Sequence, residues 1–430
     1  MAVKTFVRKK LEKIFTKQTT RIVKKHNPTI VAVTGSVGKT STKHAIAAVL
    51  AQKYKVQFQE GNYNTEISVP FIFLGRSLPA LYNPFGWYAA WAHGQKLLRK
   101  GLSYDVVVVE IGTDSPGDVI KFQSFLRPTI SVVTAVSEEH MEFFPDLEAV
   151  AKEELSIAQY SDALLVNSDD IDESYLQTYV PRNIELHSYG FTHAEYKLKV
   201  LKDVKQTMHF SVVLGDGQTL QAGAKVLADH SLKPIAGAIA VADLLGLNAE
   251  EIVAGIGAFK PVPGRMQILA GIKNSVIIDD TYNSNPLACR AALDALYKQN
   301  APQRIAILGM MNELGNFSEA AHREIGEYCD PKKVDLVVTV GTAAKTILAD
   351  AAEANGCHVA RCDSPYQAGK LVAERLKEGG VVLAKGSQNG VFTEEAVKQL
   401  LANPDDSSRL VRQSEFWLAK KRAQFTDAHS

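Results

Sequence analysis

The sequence predicts an α/β protein built from two consecutive parallel-sheet domains. Short apolar runs alternate with helix-compatible stretches through most of its 430 residues, which is typical of parallel sheets covered by helices. A glycine-containing turn joins the first of these runs to a helix-compatible stretch, and a second series of the same kind follows residues 262–265. A chain of this length exceeds a single ordinary core, so two or three domains are expected.

The first element is predicted to be a basic amphipathic helix over residues 1–28. Nine lysines and arginines precede Pro28, with Glu12 as the only acid. Two interpretations stay open: a solvated helix whose apolar stripe packs on the protein, or a helix of residues 1–27 that lies on an anionic membrane surface. The apolar residues at helical spacing are Val7, Leu11, Ile14 and Ile22.

The remaining elements divide the chain into two domains and a tail. The first domain, 29–262, contains predicted strands at 29–34, 106–111, 129–134 and 163–167, antiparallel hairpins over 184–224 and a helical region over 232–256. The second, 263–403, contains predicted strands at 275–279, 304–308, 336–340 and 380–384. Residues 404–430 read as a polar tail.

The composition indicates a globular protein and excludes several classes. Apolar residues make up 46% and charged residues 22%, and a net charge of +1 gives no reason to expect a nucleic-acid partner. The four cysteines lack CxxC spacing, which favours a reduced cytoplasmic setting. No uninterrupted apolar run reaches the roughly 18 residues of a membrane span.

The turn after the first predicted strand has the features of a nucleotide phosphate loop. Gly35 and Gly38 allow successive backbone N–H groups to point into one concavity, Lys39 adds positive charge, and Thr40 offers a hydroxyl to Mg²⁺. Only two residues separate the glycines, where the common pattern has four. A purely structural turn is the alternative. The predicted nucleotide-contacting residues of this turn are Gly35, Ser36, Gly38, Lys39, Thr40 and Ser41.

Eight motifs in a fixed order carry a family resemblance over roughly residues 29–400. They are Thr34-Gly-Ser-Val-Gly-Lys-Thr40, Gly61-Asn-Tyr-Asn-Thr-Glu-Ile-Ser-Val-Pro70, Glu110-Ile-Gly-Thr-Asp-Ser-Pro-Gly117, His140-Met-Glu142, Pro263-Gly-Arg265, Asp279-Asp-Thr-Tyr-Asn-Ser-Asn-Pro286, Glu313-Leu-Gly315 and Lys385-Gly-Ser387. With these motifs the chain resembles the Mur ligase superfamily of ATP-dependent amide-forming enzymes, and within it the MurF type. The resemblance implies a P-loop central domain followed by a Rossmann-like domain.

The resemblance also implies a reaction and a set of site residues. ATP and Mg²⁺ would be required, a carboxylate would be activated as an acyl phosphate, and an amine would attack it. Metal ligands would be Thr40, Glu110 and His140, with Lys39 at the phosphates. The second domain would contact the nucleotide through Arg265, Asp280, Asn283 and Asn285. The muramoyl substrate would meet Asn62, Asn64 and Thr65, and the amine would meet Asn312, Glu313, Lys385 and Ser387.

Three departures from the family pattern affect what is expected. Only about 28 residues precede the first strand, so the UDP-binding domain of the MurF type is expected to be missing. Glu154 stands where the family has a carbamylated, metal-binding lysine, and Lys152 would serve instead if the helix register shifts. Pro234 and Met310 replace an asparagine and an acid that are usual in the family.

The predicted function is an ATP-dependent, ADP-forming amide ligase. It would add an amino acid or a dipeptide such as D-alanyl-D-alanine to a muramoyl-peptide-like carboxylate in peptidoglycan synthesis, acting as a cytoplasmic monomer on a small-molecule or lipid-linked acceptor. Two alternatives stay open. One is a ligase of the same chemistry on a folate-like or polyamide acceptor, and the other is a non-catalytic ATP-binding regulatory partner.

Overall fold

The structure is a computed structural model that describes residues 2–61, 63–204 and 207–425. The chain forms two compact units. The first unit comprises Met1–Ser137, Phe143–Lys225 and Ser231–Lys260, and the second comprises Glu138–Glu142, Val226–His230 and Pro261–Ser430. Two short segments that the sequence placed inside the first domain therefore belong to the second unit.

The first unit is a nine-stranded sheet with helices. Its helices are α1 (Ala2–His26), α2 (Lys39–Leu50), α3 (Val69–Leu74), α4 (Pro84–Lys100), α5 (Asp118–Lys121), α6 (Leu147–Leu155), α7 (Glu173–Tyr179), α8 (Lys233–Leu244) and α9 (Ala249–Ala258). Its strands are β1 (Thr29–Thr34), β2 (Val56–Gln57), β3 (Val106–Glu110), β4 (Ile130–Val133), β5 (Ala163–Asn167), β6 (Glu185–Gly190), β7 (Tyr196–Val204), β8 (Thr207–Val213) and β9 (Thr219–Ala224). The strand order is β2-β3-β1-β4-β5-β6-β7-β8-β9.

The pairing in this sheet follows the sequence pattern except at β6. From β2 to β6 each strand pairs in parallel with its neighbour in the sheet, and β1 lies between β3 and β4. The middle strands are continuous apolar runs because both faces of the sheet are covered. Strands β7, β8 and β9 pair antiparallel, as predicted. The prediction of antiparallel hairpins over 184–224 is wrong for β6, which pairs in parallel with β5 and β7 and so extends the parallel part of the sheet. The carboxyl end of β1 lies where the strand order changes direction, which is where α/β sheets bind ligands.

Helix α1 packs on the first unit through a face that includes Leu11 and Ile22 of the predicted stripe but not its other two residues. Phe15 and Ile22 are buried, and the Phe15 ring lies 4.8 Å from Phe71 and 5.5 Å from Trp87 between ring centroids. The predicted stripe is wrong for Val7 and Ile14, which are 38% and 47% exposed. Because two large rings receive Phe15, the packed face is rotated away from these aliphatic residues.

The second unit is a six-stranded sheet with helices on it. Its helices are α10 (Pro286–Tyr297), α11 (Ser318–Tyr328), α12 (Ala349–Ala354), α13 (Pro365–Arg375), α14 (Glu394–Leu400) and α15 (Glu415–Gln424). Its strands are β10 (Gln267–Ala270), β11 (Val276–Asp280), β12 (Arg304–Gly309), β13 (Leu336–Val340), β14 (Val359–Cys362) and β15 (Val381–Lys385), in the order β10-β11-β15-β12-β13-β14. All pairs are parallel except β10 with β11. The α/β class predicted from the sequence is confirmed.

Residues 404–425 are structured, whereas the sequence suggested a polar tail. A 3₁₀ helix spans Pro404–Arg409 and α15 follows. The ammonium group of Lys421 is buried and lies 2.8 Å from Glu394 and 2.6 Å from Glu395 at the start of α14. Partners so far apart in the chain cannot be recognised from local sequence pattern.

Within the described residues, no helix has both the length and the apolar character needed to cross a bilayer.

Replacing Lys421 by methionine is expected to destabilise the second unit by about 3–5 kcal/mol, because the buried Glu395 loses its cation and the buried Glu394 keeps only Arg412. Urea denaturation followed by circular dichroism measures the change. Lys420→Met is the matched control, since Lys420 is exposed on the same helix, and equal unfolding midpoints for the two variants would contradict this account.

Candidate functional site

The turn between β1 and α2 forms the predicted phosphate loop. Gly35 has φ of +122°, and a Cβ on it would lie 2.4 Å from Thr134 Oγ1, so only glycine fits. Gly38, with φ of +92°, precedes the first turn of α2. In this described segment Gly38 has no side chain to cap the turn, and the N–H groups of a helix's first turn are those that bind anions.

Hydrogen bonds to the backbone after β4, and within the loop itself, fix the other loop residues. Ser36 donates its backbone N–H to Ala135 O at 2.9 Å, and its hydroxyl bonds the backbone of Ser137. The ammonium group of Lys39 donates to the backbone oxygens of Gly35 and Ser36. Thr40 is buried and Ser41 is half-buried. The loop is therefore a preformed concavity with its lysine folded over it.

Glu154 supports this loop from α6. Its buried carboxylate accepts hydrogen bonds from the Gly35 N–H, at 2.8 Å, and from the Thr34 hydroxyl. Lys152, the alternative residue for the family's modified lysine, is exposed on the same helix. The structure thus gives Glu154 a loop-positioning contact, and a metal-binding role for it stays a prediction.

The neighbouring Glu153 fixes a second loop, and the sequence reasoning missed it. Its carboxylate accepts from the N–H groups of Gly117 at 2.6 Å and Val119 at 2.7 Å. Two adjacent acids at the end of α6 therefore bind two different loops. Their signal in the sequence is only the Glu-Glu pair itself, which is usual on exposed helix faces.

Glu110, at the end of β3, is paired with a lysine that the sequence reasoning also missed. Lys43 Nζ lies 3.1 Å from Glu110 Oε2, and both side chains are buried. Lys43 also donates to Gly61 O at 3.2 Å. The available signal was the spacing of Lys43 four residues after Lys39, which places both lysines on one side of α2.

The segment predicted to meet the acceptor lies next to this pair. Asn64 packs against Gly112, whose N–H donates to Asn64 O at 3.0 Å. Thr65 shares its hydroxyl with Ser68 at 2.8 Å, which stabilises the turn into α3. Asn62 lies outside the described residues. Asn64 therefore contacts Gly112, which follows Glu110 by two residues in the chain.

In the second unit, Asp280 and Lys385 bind each other. Lys385 Nζ lies 2.5 Å from Asp280 Oδ2 and 3.1 Å from Asn283 O, and the lysine is buried. Parallel pairing of β11 and β15 places the two residues opposite each other. The sequence assigned them to different ligands, and the structure joins them in one charge pair.

Two guanidinium groups lie near the ring of Tyr282. The Arg265 guanidinium carbon lies 4.2 Å from the centre of the Tyr282 ring, and that of Arg412 lies 6.0 Å away. Arg412 also donates to the carbonyl oxygens of Thr281 and Tyr282, and it binds the buried Glu394. The nucleotide segment predicted from the sequence is therefore held by a residue of the predicted tail.

Three further predicted residues of this unit make hydrogen bonds at or near the turn of residues 284–285. Asn285 caps α10 by accepting from the Ala288 N–H at 2.9 Å. The Ser387 hydroxyl donates to Ser284 O at 3.1 Å and accepts from the Asn312 N–H at 2.9 Å. These bonds join the 284–285 turn to the residues that the sequence assigned to the amine.

His140 belongs to the second unit, where it is paired with Glu313. His140 Nδ1 lies 2.9 Å from Glu313 Oε2, and this hydrogen bond lowers the pKa of the Glu313 carboxyl below its ordinary value. Asn283 donates to the neighbouring Glu139 at 3.3 Å. The structure groups His140 with predicted amine and nucleotide residues of its own unit.

The predicted metal ligands are thus divided between the units. Thr40 and Glu110 lie in the first unit and His140 in the second. Among the described residues, no three histidines, cysteines or acids form a ready-made metal cluster. Hydroxyl and carboxylate oxygens do match the preference of Mg²⁺, and a magnesium ion that also takes phosphate oxygens and water needs few protein ligands.

Asp279 is a buried acid of β11 that comes directly before Asp280 in the chain. Its Oδ1 accepts from the N–H and the hydroxyl of Thr281, and burial raises the pKa of Asp279 to about 7. A carboxyl with such a pKa is largely protonated in the folded protein at pH values where the unfolded chain is ionised.

The first unit combines a preformed phosphate loop with an α/β sheet, which defines a P-loop nucleotide-binding protein. Models of two families match the chain: the Mur ligase middle domain over residues 33–77 and 91–242, and the Mur ligase glutamate ligase domain over residues 264–388. The chain belongs to the Mur ligase family. Both the family and the P-loop architecture agree with the sequence prediction.

Individual relatives cover most of the chain. The UDP-N-acetylmuramoyl-tripeptide–D-alanyl-D-alanine ligase of Bacillus subtilis is 26% identical over 379 residues, covering 87% of this chain and 76% of the relative. The ligase of the same name from Escherichia coli is 28% identical over 383 residues, covering 87% and 77%. The structure of a MurF ligase from Thermotoga maritima in complex with ADP matches with a TM-score of 0.74 and 24% identity, covering 91% of this chain and 83% of that chain.

The role of Glu154 can be tested by separating its charge from its hydrogen-bond acceptor. Glu154→Gln keeps an oxygen for the Gly35 N–H and is expected to bind Mg²⁺-ADP within about threefold of the parent protein, whereas Glu154→Ala should weaken binding about tenfold because it leaves that N–H unsatisfied. Titration calorimetry measures both, with Lys152→Gln as the control. An equally large loss in Glu154→Gln would show that the charge itself is needed.

The raised pKa of Asp279 predicts a pH-dependent stability. Between about pH 4 and pH 7 the folded protein holds a proton that the unfolded chain releases, so stability falls as the pH rises through this window, by up to about 1.4 kcal/mol per pH unit. Asp279→Asn does not titrate. We therefore expect its unfolding free energy, relative to the parent protein, to increase from pH 5 to pH 8.

Denaturant unfolding at the two pH values measures this difference. The amide adds an offset that is independent of pH, so the change between the two values is the quantity to compare. Asp405→Asn, at an exposed position of the same unit, should show no such change, and a pH-independent offset alone in Asp279→Asn would contradict the prediction.

Proposed function

We propose that the chain is an ATP- and Mg²⁺-dependent, ADP-forming ligase of peptidoglycan synthesis. It joins an amino acid or a dipeptide, such as D-alanyl-D-alanine, to the carboxylate of a muramoyl-peptide-like acceptor. The observation that carries this proposal is the preformed phosphate loop of the Mur ligase domain, in a chain aligned over 87% of its length with relatives named for that reaction.

The proposed chemistry has two steps. A carboxylate oxygen of the acceptor attacks the γ-phosphorus of ATP, so that ADP leaves and an acyl phosphate forms. The amine then attacks the acyl carbon, phosphate leaves, and the amine nitrogen loses a proton. The loop amides and Lys39 would hold and neutralise the phosphates.

A metal would supply further charge neutralisation at the phosphates when bound. We assign its protein ligands to the Thr40 hydroxyl and the Glu110 carboxylate, both oxygen donors of the first unit, with His140 as the predicted ligand from the second. Lys43 holds the Glu110 carboxylate in a fixed position at 3.1 Å. It therefore acts as a positioning residue for this ligand.

The other assignments are proposals from the same family pattern. Arg265, Asp280, Asn283 and Asn285 would contact the nucleotide, Asn62, Asn64 and Thr65 the acceptor, and Asn312, Glu313, Lys385 and Ser387 the amine. The bonds of Lys385 to Asp280 and to Asn283 O support treating the nucleotide and amine groups of the second unit as one connected cluster.

We also propose a cytoplasmic monomer that contacts a membrane peripherally through residues 1–27. Four reduced, buried cysteines fit the first part. The exposed lysines and arginines of α1 fit the second. A lipid-linked muramoyl peptide would then be an accessible acceptor beside a soluble one.

The test is ADP release from ATP with pairs of acceptor and amine. We expect release that requires both a muramoyl tripeptide, UDP-linked or lipid-linked, and D-alanyl-D-alanine. Lys39→Ala should lower kcat/KM by about 100-fold or more, because a preorganised charge at the phosphates is lost. Lys55→Ala, at an exposed lysine of the same unit, is the matched control and should leave the rate unchanged.

Other outcomes separate the alternatives. Release with a folate-like or polyamide acceptor and none with muramoyl peptides would move the enzyme outside the cell wall. Nucleotide binding without acceptor-dependent release from any pair would favour a regulatory ATP-binding partner. Equal rates for Lys39→Ala and Lys55→Ala would reject the role of the phosphate loop.

A further inference from the structure

Helices α1 and α4 lie side by side and run in the same direction. Phe15 contacts Trp87, the Gln18 amide donates to Trp91 O at 2.9 Å, and Lys25 Nζ donates to Leu98 O at 2.7 Å. As the residue number increases along one helix, so does that of its partner on the other. The helices therefore form one continuous two-helix surface of the first unit.

A groove marks the side on which both helices are exposed. It has a volume of about 380 Å³ and is lined by Arg21, Lys24 and Lys25 from α1 and by Gln95, Leu98 and Arg99 from α4. Residues seven apart lie on nearly the same side of a helix. Ile14 and Val7 thus continue the row of Arg21, and Tyr88 continues the row of Gln95.

Large apolar side chains are exposed along these rows and at the start of α4. Phe6, Val7 and Ile14 on α1 are between 38% and 59% exposed. On α4 and the turn before it, the exposed rings are Tyr82 at 81%, Phe85 at 84%, Tyr88 at 67% and Trp91 at 41%. Four neighbouring exposed aromatic rings exceed the isolated apolar residues of an ordinary surface.

The charge on the same two helices is almost entirely positive. Helix α1 has nine lysines and arginines against Glu12, and α4 adds Lys96, Arg99 and Lys100 with no acid, giving twelve positive residues against one negative. The whole chain has a net charge of only +1. Positive charge is therefore concentrated on these two helices, and an excess of acidic residues in the rest of the chain offsets it.

We infer that α1 and α4 together form a docking surface for an anionic lipid bilayer, in which the aromatic side chains of α4 enter the interface and the basic residues bind lipid headgroups. This inference rests on the peripheral membrane contact proposed above and divides that contact between two segments. Residues 1–27 supply positive charge, and residues 82–91 supply the apolar contact with the bilayer. Tyrosine and tryptophan favour the membrane interface, and basic residues are attracted to anionic headgroups.

Charge complementarity selects this occupant. A second copy of the chain would bring twelve positive residues against another twelve, which repel. A nucleic acid would match the charge, but its binding gives no reason for aliphatic residues such as Val7 and Ile14 to be exposed between the lysines. A bilayer accepts both features at once.

Vesicle co-sedimentation of the full chain tests the inference. We expect at least about tenfold tighter binding to vesicles containing about 30% phosphatidylglycerol than to pure phosphatidylcholine vesicles, because each basic residue near an anionic surface adds to the attraction. Phe85→Ser/Tyr88→Ser should lose about tenfold in binding to the anionic vesicles, because apolar contact area with the bilayer is removed. Both residues are exposed, so the fold should be retained.

Matched controls use the second unit. Phe416, 72% exposed, is changed to serine as the aromatic control. The charge test compares Lys17→Glu/Arg21→Glu/Lys24→Glu with Lys332→Glu/Lys370→Glu/Lys377→Glu, which makes the same charge change at exposed lysines of the other unit. We expect lower binding to the anionic vesicles for Phe85→Ser/Tyr88→Ser and for Lys17→Glu/Arg21→Glu/Lys24→Glu. The control variants of the second unit should bind as the parent protein does.

Several results would overturn the inference. These are equal binding to both kinds of vesicle, equal loss in test and control variants, dimerisation that Phe85→Ser/Tyr88→Ser abolishes, or binding of an oligonucleotide without binding of vesicles. ADP release with a soluble acceptor and no vesicles is measured on the same variants. Because these residues lie outside the proposed catalytic set, that activity should persist, which separates failure of the docking surface from failure of the ligase function.

Discussion

The close approach of the Gly35 backbone to the end of β4 is the constraint on which the first unit's site depends. A side chain at that position would collide with Thr134, so the chain must turn there without one. The turn gives the loop its concave shape, and contacts from two further elements preserve it: Ser36 binds the backbone after β4, and Glu154 of α6 accepts the Gly35 N–H. Since β1 and β4 are parallel neighbours, the sheet order itself brings these groups together.

Each unit also contains a buried lysine paired with an acid at the end of a central strand. Lys43 binds Glu110 after β3, and Lys385 binds Asp280 where β15 and β11 lie side by side. Removing charges from water is costly, so such pairs contribute little net stability, but they fix the position of both partners. The two pairs therefore hold carboxylates in place where an unpaired carboxylate would adopt several rotamers.

Local pattern in the sequence predicts the strands of both sheets well, because parallel central strands are short apolar runs and the turn glycines are distinctive. It identifies the phosphate loop for the same reason. It does not reveal which residues pair. Lys43 looks like any helix lysine until Glu110 is placed beside it, and Arg412 and Lys421 look like solvated tail residues until α14 brings Glu394 between them. Helix α1 shows the same limit, since aliphatic spacing favours Val7 and Ile14 while the ring of Phe15 finds partners at positions 71 and 87.

The parallel docking of α1 on α4 affects how the chain folds during synthesis. The ribosome releases α1 first, but Trp87 and the α4 backbone that bind it are made some seventy residues later. Phe71, the other ring against Phe15, is also made some fifty residues after it, so the apolar side of α1 lacks both of its aromatic partners until then. Helix α1 therefore cannot complete its packing before α4 has been synthesised, although it is made earlier.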